Sequence, residues 1–109
     1  MKYQVYLSAD AGNDLFDIWN YVAHNDSPEK ADCLLRELQS TCFTLEEFPD
    51  RGHVPPELER VHVREYLEIH WKPYRIIYRI HDKRVFIHCI LDGRRNMLEL
   101  LIERAIREE

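Results

Sequence analysis

The chain predicts an α+β fold in which an N-terminal strand, a two-helix hairpin, an antiparallel three-stranded meander and a short C-terminal helix follow one another. Two observations carry that reading. Apolar residues recur at helical spacing up to about Phe48, alternate from Tyr66 to Leu91, and return to helical spacing from Met97. The alternating stretch is cut only at Lys72-Pro73 and at His81-Asp82-Lys83, and breaks so short allow only tight hairpins between neighbouring antiparallel strands. At 109 residues with 45% hydrophobic content the chain makes a single domain, residues 1–109, with one core.

Lys2 to Leu7 alternates, with Tyr3, Val5 and Leu7 on one side, as a half-buried strand does. Ser8 stops it and is placed to cap a helix from Ala9 to about His24, whose stripe is Ala11, Leu15, Ile18, Trp19 and Val22 and whose first turn carries Asp10. Asn25-Asp-Ser-Pro28 makes a turn and a second start, because proline is favoured at the first helical position, where its missing N–H costs nothing. Ala31, Leu34, Leu35, Leu38, Cys42 and Leu45 then predict a helix to about Phe48, antiparallel to the first because the connection is short. Three prolines and a glycine between Phe48 and Glu57 predict an ordered loop rather than a regular element.

In the meander, Leu67, Ile69 and Trp71 oppose Tyr66, Glu68 and His70, and then Tyr74, Ile76, Tyr78 and Ile80 oppose Arg75, Ile77, Arg79 and His81. One face is therefore apolar and takes the helical hairpin, while the other carries Glu68, His70, Arg75, Arg79 and His88. Val85 to Leu91 is apolar on both faces, which predicts a central strand or a partly covered second face. Asp92-Gly-Arg-Arg-Asn96 ends the meander, with Asn96 as the cap of a helix striped by Leu98, Leu101, Ile102, Ala105 and Ile106.

Composition narrows the function. No stretch reaches the roughly 18 apolar residues of a membrane span, and Met1-Lys-Tyr-Gln-Val lacks the apolar segment of a signal peptide, so a cytoplasmic protein without membrane contact is expected. Cys33, Cys42 and Cys89 are odd in number and lack Cys-x-x-Cys spacing, which supports neither a disulfide framework nor a zinc ribbon. The net charge of −5 is uneven: residues 1–57 hold four Lys/Arg against eleven Asp/Glu, and residues 58–109 hold eleven against nine. Direct nucleic-acid binding, which draws on a broad positive surface, is not expected of such a chain.

Glycine-rich phosphate loops, nucleophile elbows and helical metal-ligand histidine pairs are missing, and neither cofactor nor metal is expected. His24, His53 and His62 read as solvated residues of loops or edges. Glu68, His70, Arg75, Arg79 and His88 share the polar sheet face and supply in kind the base, acid and oxyanion stabiliser of a metal-free endoribonuclease. The same residue types also form solvated, charge-paired sheet faces, the more ordinary role.

The element order, with Phe48-Pro49-x-x-Gly52, Pro55-x-Glu57, Arg64-Glu65, Pro73-Tyr-Arg-Ile-Ile-Tyr-Arg79 and Gly93-Arg94-Arg95, resembles the ParE branch of the RelE/ParE toxins of bacterial type II toxin–antitoxin systems. The resemblance covers nearly the whole chain. It implies a RelE/ParE-like fold, a cognate antitoxin protein that binds as an extended or helical tail, and growth inhibition when the toxin is freed. RelE-like members cleave messenger RNA on the ribosome; ParE-like members typically poison DNA gyrase and lack the nuclease residues. The acidic chain, and a tail after Leu91 without tyrosine or histidine, favour the ParE side.

The resemblance thus implies a non-enzymatic inhibitor of DNA gyrase, with Arg94, Arg95, Leu98 and Leu101 as the target-binding surface. The alternatives are a RelE-like nuclease using Glu68, His70, Arg75, Arg79 and His88, and a non-toxic regulatory partner of the antitoxin that keeps only the fold.

Overall fold

A computed structural model describes residues 2–93 and 96–108, with side chains described through residue 104. Gln4–Leu7 forms strand β1, and Ser8 ends it by turning its side chain to the next element. Its Oγ accepts the Ala11 N–H at 3.0 Å and donates to the His88 carbonyl at 3.1 Å, so one hydroxyl caps helix α1 (Ala9–Asn25) and ties it to the sheet. Ser27 caps helix α2 (Pro28–Phe43) in the same way through the Lys30 N–H, with Pro28 at its first turn. The helices pack as the expected hairpin, latched by Trp19 Nε1–H donating to Asp32 Oδ1 at 2.8 Å.

The second helix ends earlier than its apolar spacing predicts. After Phe43 the chain tightens into a 3₁₀ turn, Thr44–Glu46, and Phe48 then adopts a left-handed conformation (φ 52°) ahead of Pro49. A residue before proline is barred from the right-handed helical region, which sets the outer limit of the helix; tightening of a last turn is common. Between Phe48 and the meander the expected loop holds two short regular pieces, a 3₁₀ turn at Pro49–Arg51 and one turn of helix, α3 (Pro56–Glu59).

Strands β2 (Leu67–Trp71), β3 (Tyr74–His81) and β4 (Arg84–Asp92) form the antiparallel meander, and β1 joins parallel to β4, in the order β1-β4-β3-β2. Asp82 and Lys83 both have positive φ (48° and 64°), the two-residue turn whose twist matches that of its strands. The register between β3 and β4 shifts between Ile77↔Cys89 and Tyr78↔Ile87, which makes His88 the extra residue of a β-bulge. That extra residue lets both Ile87 and Ile90 face α1 and α2, where they join Leu15, Leu38, Ile76 and Tyr78 in the main core.

The opposite sheet face is polar only in part, and its centre is covered, as the doubly apolar run from Val85 to Leu91 predicts. Ile77, Cys89 and Leu91 lie buried there beneath Leu58 of α3 and Met97 and Leu100 of helix α4 (Met97–Glu108), so the central strands are covered on both sides. Asn96 Oδ1 accepts the Glu99 N–H at 3.0 Å and starts α4 as expected. Because β1 is short, the far half of β4 runs beyond it, and the buried Asp14 of α1 accepts the Ile90 N–H at 2.9 Å in place of a strand. Arg104 of α4 closes over the same carboxylate, with Nη2 2.6 Å and Nη1 3.1 Å from its two oxygens.

Candidate functional site

Alternation in β2 and β3 places Glu68, His70 and Arg75 on the side away from the helical hairpin, and the register sets His70 directly opposite Arg75. Glu68 is 1% exposed, and a carboxylate so buried has to be met by charge and hydrogen bonds. Arg75 meets it with two: Nε–H donates to Oε1 at 2.9 Å and Nη2–H to Oε2 at 2.7 Å. The other prong of the guanidinium grips Glu57 of α3, Nη1 to Oε2 at 2.6 Å and Nη2 to Oε1 at 2.9 Å. Four of the five guanidinium N–H groups are thereby engaged.

Hydrogen bonds from Arg75 hold the Glu57 carboxyl down at about 2, against the cost of its partial burial. The two carboxylates, Glu57 first, raise the affinity of the guanidinium for its proton in return. His70 completes the cluster, Nε2 2.7 Å from Glu68 Oε1, and the His53 ring lies 5.4 Å from the His70 ring. These groups line one wall of an open cleft of about 600 Å³ with Lys72 and Gly93 at its margin.

Two glycines shape that cleft by close approach. A Cβ on Gly52 would stand 2.3 Å from Tyr78 Oη, so only glycine lets the 49–53 loop lie on the sheet, where Tyr78 donates to the Pro49 carbonyl and accepts from the Gly52 N–H. Gly93 donates its N–H to the Pro73 carbonyl at 2.8 Å, and a Cβ would sit 3.0 Å from that oxygen, which pins the strand-to-helix turn against the hairpin turn.

Three of the five residues read as a ribonuclease set, Glu68, His70 and Arg75, come together. Arg79 lies four residues beyond Arg75, about 13 Å along extended chain, across from Phe86, and His88 sits at the bulge with the Tyr66 ring edge-on at 5.1 Å. Arg94 and Arg95 lie outside the described residues. Leu98 and Leu101 are half-buried against the second core. Two residues of the cluster escaped sequence reasoning. Pro55-Pro56-Glu57 carried a usable signal, proline at a helix start with an acid in the first turn, whereas nothing in the sequence distinguishes His53 from a solvated histidine.

As chemistry, the arrangement is closed rather than poised. Glu57 and Glu68 both accept hydrogen bonds from one guanidinium, and Arg75, with four of its five N–H groups taken, has little left to offer an incoming phosphate. Among the described residues, no helix is long and apolar enough to cross a membrane.

Comparison with known proteins places the chain. Residues 5–97 match the family model described as the ParE toxin of type II toxin–antitoxin systems, parDE. Toxin ParE3 of Caulobacter vibrioides is 29% identical over 98 residues, covering 86% of this chain and 90% of that protein. Among solved structures, the chromosomal ParDE toxin–antitoxin system of P. aeruginosa matches with a TM-score of 0.71 at 18% identity, over 84% of this chain and 96% of that one. The toxin–antitoxin complex RelBE2 of Mycobacterium tuberculosis matches with a TM-score of 0.62 at 21% identity, over 84% and 92%. These two share the fold, and the family match rests on most of the sequence: the chain belongs to the ParE toxin family of type II toxin–antitoxin systems.

Proposed function

We propose that the protein arrests growth by binding and poisoning DNA gyrase in the cytoplasm, without catalysis of its own, and that a cognate antitoxin neutralises it. One observation supports the non-catalytic half above the others: among the described residues, the acid, imidazole and guanidinium clustered on the sheet are spent on one another, with Glu57 and Glu68 sharing Arg75. A nuclease needs those groups free to exchange protons and to hold phosphate. The gyrase target comes by kinship with ParE-like toxins, and Arg94, Arg95, Leu98 and Leu101 are the residues through which the protein would engage it.

The antitoxin half draws on the structural relatives, a ParDE toxin–antitoxin system and a RelBE2 toxin–antitoxin complex. An apolar groove on the helical hairpin, lined by Leu15, Phe16, Trp19 and Leu35, with Phe16 62% exposed, suits the anchors of an amphipathic or extended tail. Residues 1–57 hold eleven Asp/Glu against four Lys/Arg, and although Asp14 and Glu57 are paired within the fold, the surplus calls for basic residues in that tail.

The test compares Arg94→Ala/Arg95→Ala with Glu68→Gln/His70→Ala for growth arrest on induction and for inhibition of DNA supercoiling by gyrase. Loss of both in the first pair, with both retained in the second, is expected. Toxicity lost only in the second pair, with cleaved messenger RNA on ribosomes, would overturn the proposal in favour of a nuclease. Co-purification with the product of the adjacent gene tests the antitoxin half, and independent elution at micromolar concentration would refute it.

A further inference from the structure

The cleft beside the ion cluster brings two imidazoles and a carboxylate together in a way that growth arrest does not use. His53 and Glu68 face each other across an isolated antiparallel bridge, with His53 N–H donating to the Glu68 carbonyl at 3.2 Å and Glu68 N–H to the His53 carbonyl at 2.8 Å. Residues so paired present their side chains to the same face, and His70, two positions beyond Glu68 on β2, shares it. One ligating atom from each of His53, Glu68 and His70 lies within 4.8 Å of the other two.

Two further features separate this from a chance meeting of surface histidines. Outer partners fix the groups: Arg75 donates to both oxygens of Glu68, and the His53 Nδ1 lies 3.3 Å from the Val54 carbonyl, an acceptor that calls the ring proton to Nδ1 and leaves Nε2 with its lone pair. Such contacts orient carboxylate and imidazole in metal sites. Within the ion cluster itself Glu57 and Glu68 outnumber Arg75, so Glu68 keeps a carboxylate oxygen to offer a cation even with Arg60 and Lys72 elsewhere on the cleft wall.

We propose that His53, Glu68 and His70 bind one divalent transition cation of the zinc type, with a fourth position open to the cleft. Two imidazoles and one oxygen suit zinc, nickel or copper and not calcium or magnesium, which take oxygen ligands. Metal–ligand distances of about 2.0–2.1 Å in a tetrahedron put ligand atoms about 3.3 Å apart. His53 and His70 are both exposed, so side-chain rotation closes the remaining gap while Glu68 stays in place. The cation takes the position of the His70 Nε2–H, and that proton passes to Nδ1 of the same ring. A bound ion then joins the 49–53 loop to the edge strand β2.

The experiment uses the untagged, chelator-stripped protein, titrated with cobalt(II) for its visible absorption and with zinc by calorimetry. One equivalent is expected to bind, and His53→Ala and His70→Ala should each weaken binding at least tenfold. The control His24→Ala/His62→Ala should bind as the parent does, and far-UV circular dichroism checks that all variants fold. No saturable binding up to 100-fold excess cation, or binding that survives both His53→Ala and His70→Ala, overturns the proposal. Neither outcome bears on gyrase, because the growth-arrest residues are different ones.

Discussion

Replacing Arg75 by methionine removes four donated hydrogen bonds at once while keeping most of the side-chain stem. Glu57, on the outer turn, can rotate to water. Glu68 cannot: at 1% exposure it stays in the interior with the His70 imidazole at 2.7 Å as the partner left to it. Breaking a buried ion pair from one side costs about 3–5 kcal/mol, against about 0–1 kcal/mol for an exposed one, so a loss of about 3–5 kcal/mol is expected. That is a large share of the roughly 5–15 kcal/mol that holds a domain of this kind. Changing both ends, in Glu68→Leu/Arg75→Met, removes the stranded charge and should recover most of the loss. Urea unfolding followed by the fluorescence of Trp19 and Trp71 measures both, with an unchanged denaturant slope as the sign that the two-state comparison is fair. A single-variant loss under about 1 kcal/mol, or a double variant no more stable than the single one, would refute the view that this cluster is a buried, mutually dependent unit.

Three other outcomes follow from the same geometry. Ile76, fully buried in the main core, should lose about 2–5 kcal/mol on change to alanine, and a loss no larger than that of a surface change would show that the hairpin packs on the other sheet face. The Glu57 carboxyl, held at about 2 by Arg75 against an unfolded value of 4.5, stabilises the fold fully above pH 4.5, and its contribution drains away as pH falls from there towards 2. Its partial exposure screens the pair, so about 1–2 kcal/mol is expected over that window; acid titration of the Glu57→Gln variant should show a shallower slope, and identical slopes would count against the pairing. Lys83 sits in the left-handed region at φ 64°, where glycine costs nothing, so Lys83→Gly should raise the unfolding midpoint by the equivalent of about 0.5–1 kcal/mol, and a lower midpoint would contradict the turn assignment.

The helical hairpin and the meander were legible because period and turn chemistry agree in them: Ser8 and Ser27 cap helices where their spacing says they should, and Trp71↔Tyr74 closes a hairpin across two residues. Long-range facts were not. A strand of four residues such as β1 carries no mark of the partner it meets some 80 residues later. Ile87-His-Cys-Ile90 lies in a run that is apolar on both faces, with no glycine or proline to announce the bulge at His88. In the candidate site, alternation alone brought Glu68, His70 and Arg75 to one face. It could not show that Glu57 would arrive from a one-turn helix to take the other half of the Arg75 guanidinium.

The grip of Arg104 on Asp14 joins residues 90 positions apart, the first helix to the last. Loop closure makes so distant a contact late in folding, because its entropy cost falls due before anything local repays it. The main core, between the hairpin and the sheet, can be complete without it. Helix α4 rests on a small second core and the Arg104–Asp14 clasp, so native-state hydrogen exchange of its amides faster than that of the sheet is the expected sign that it opens on its own.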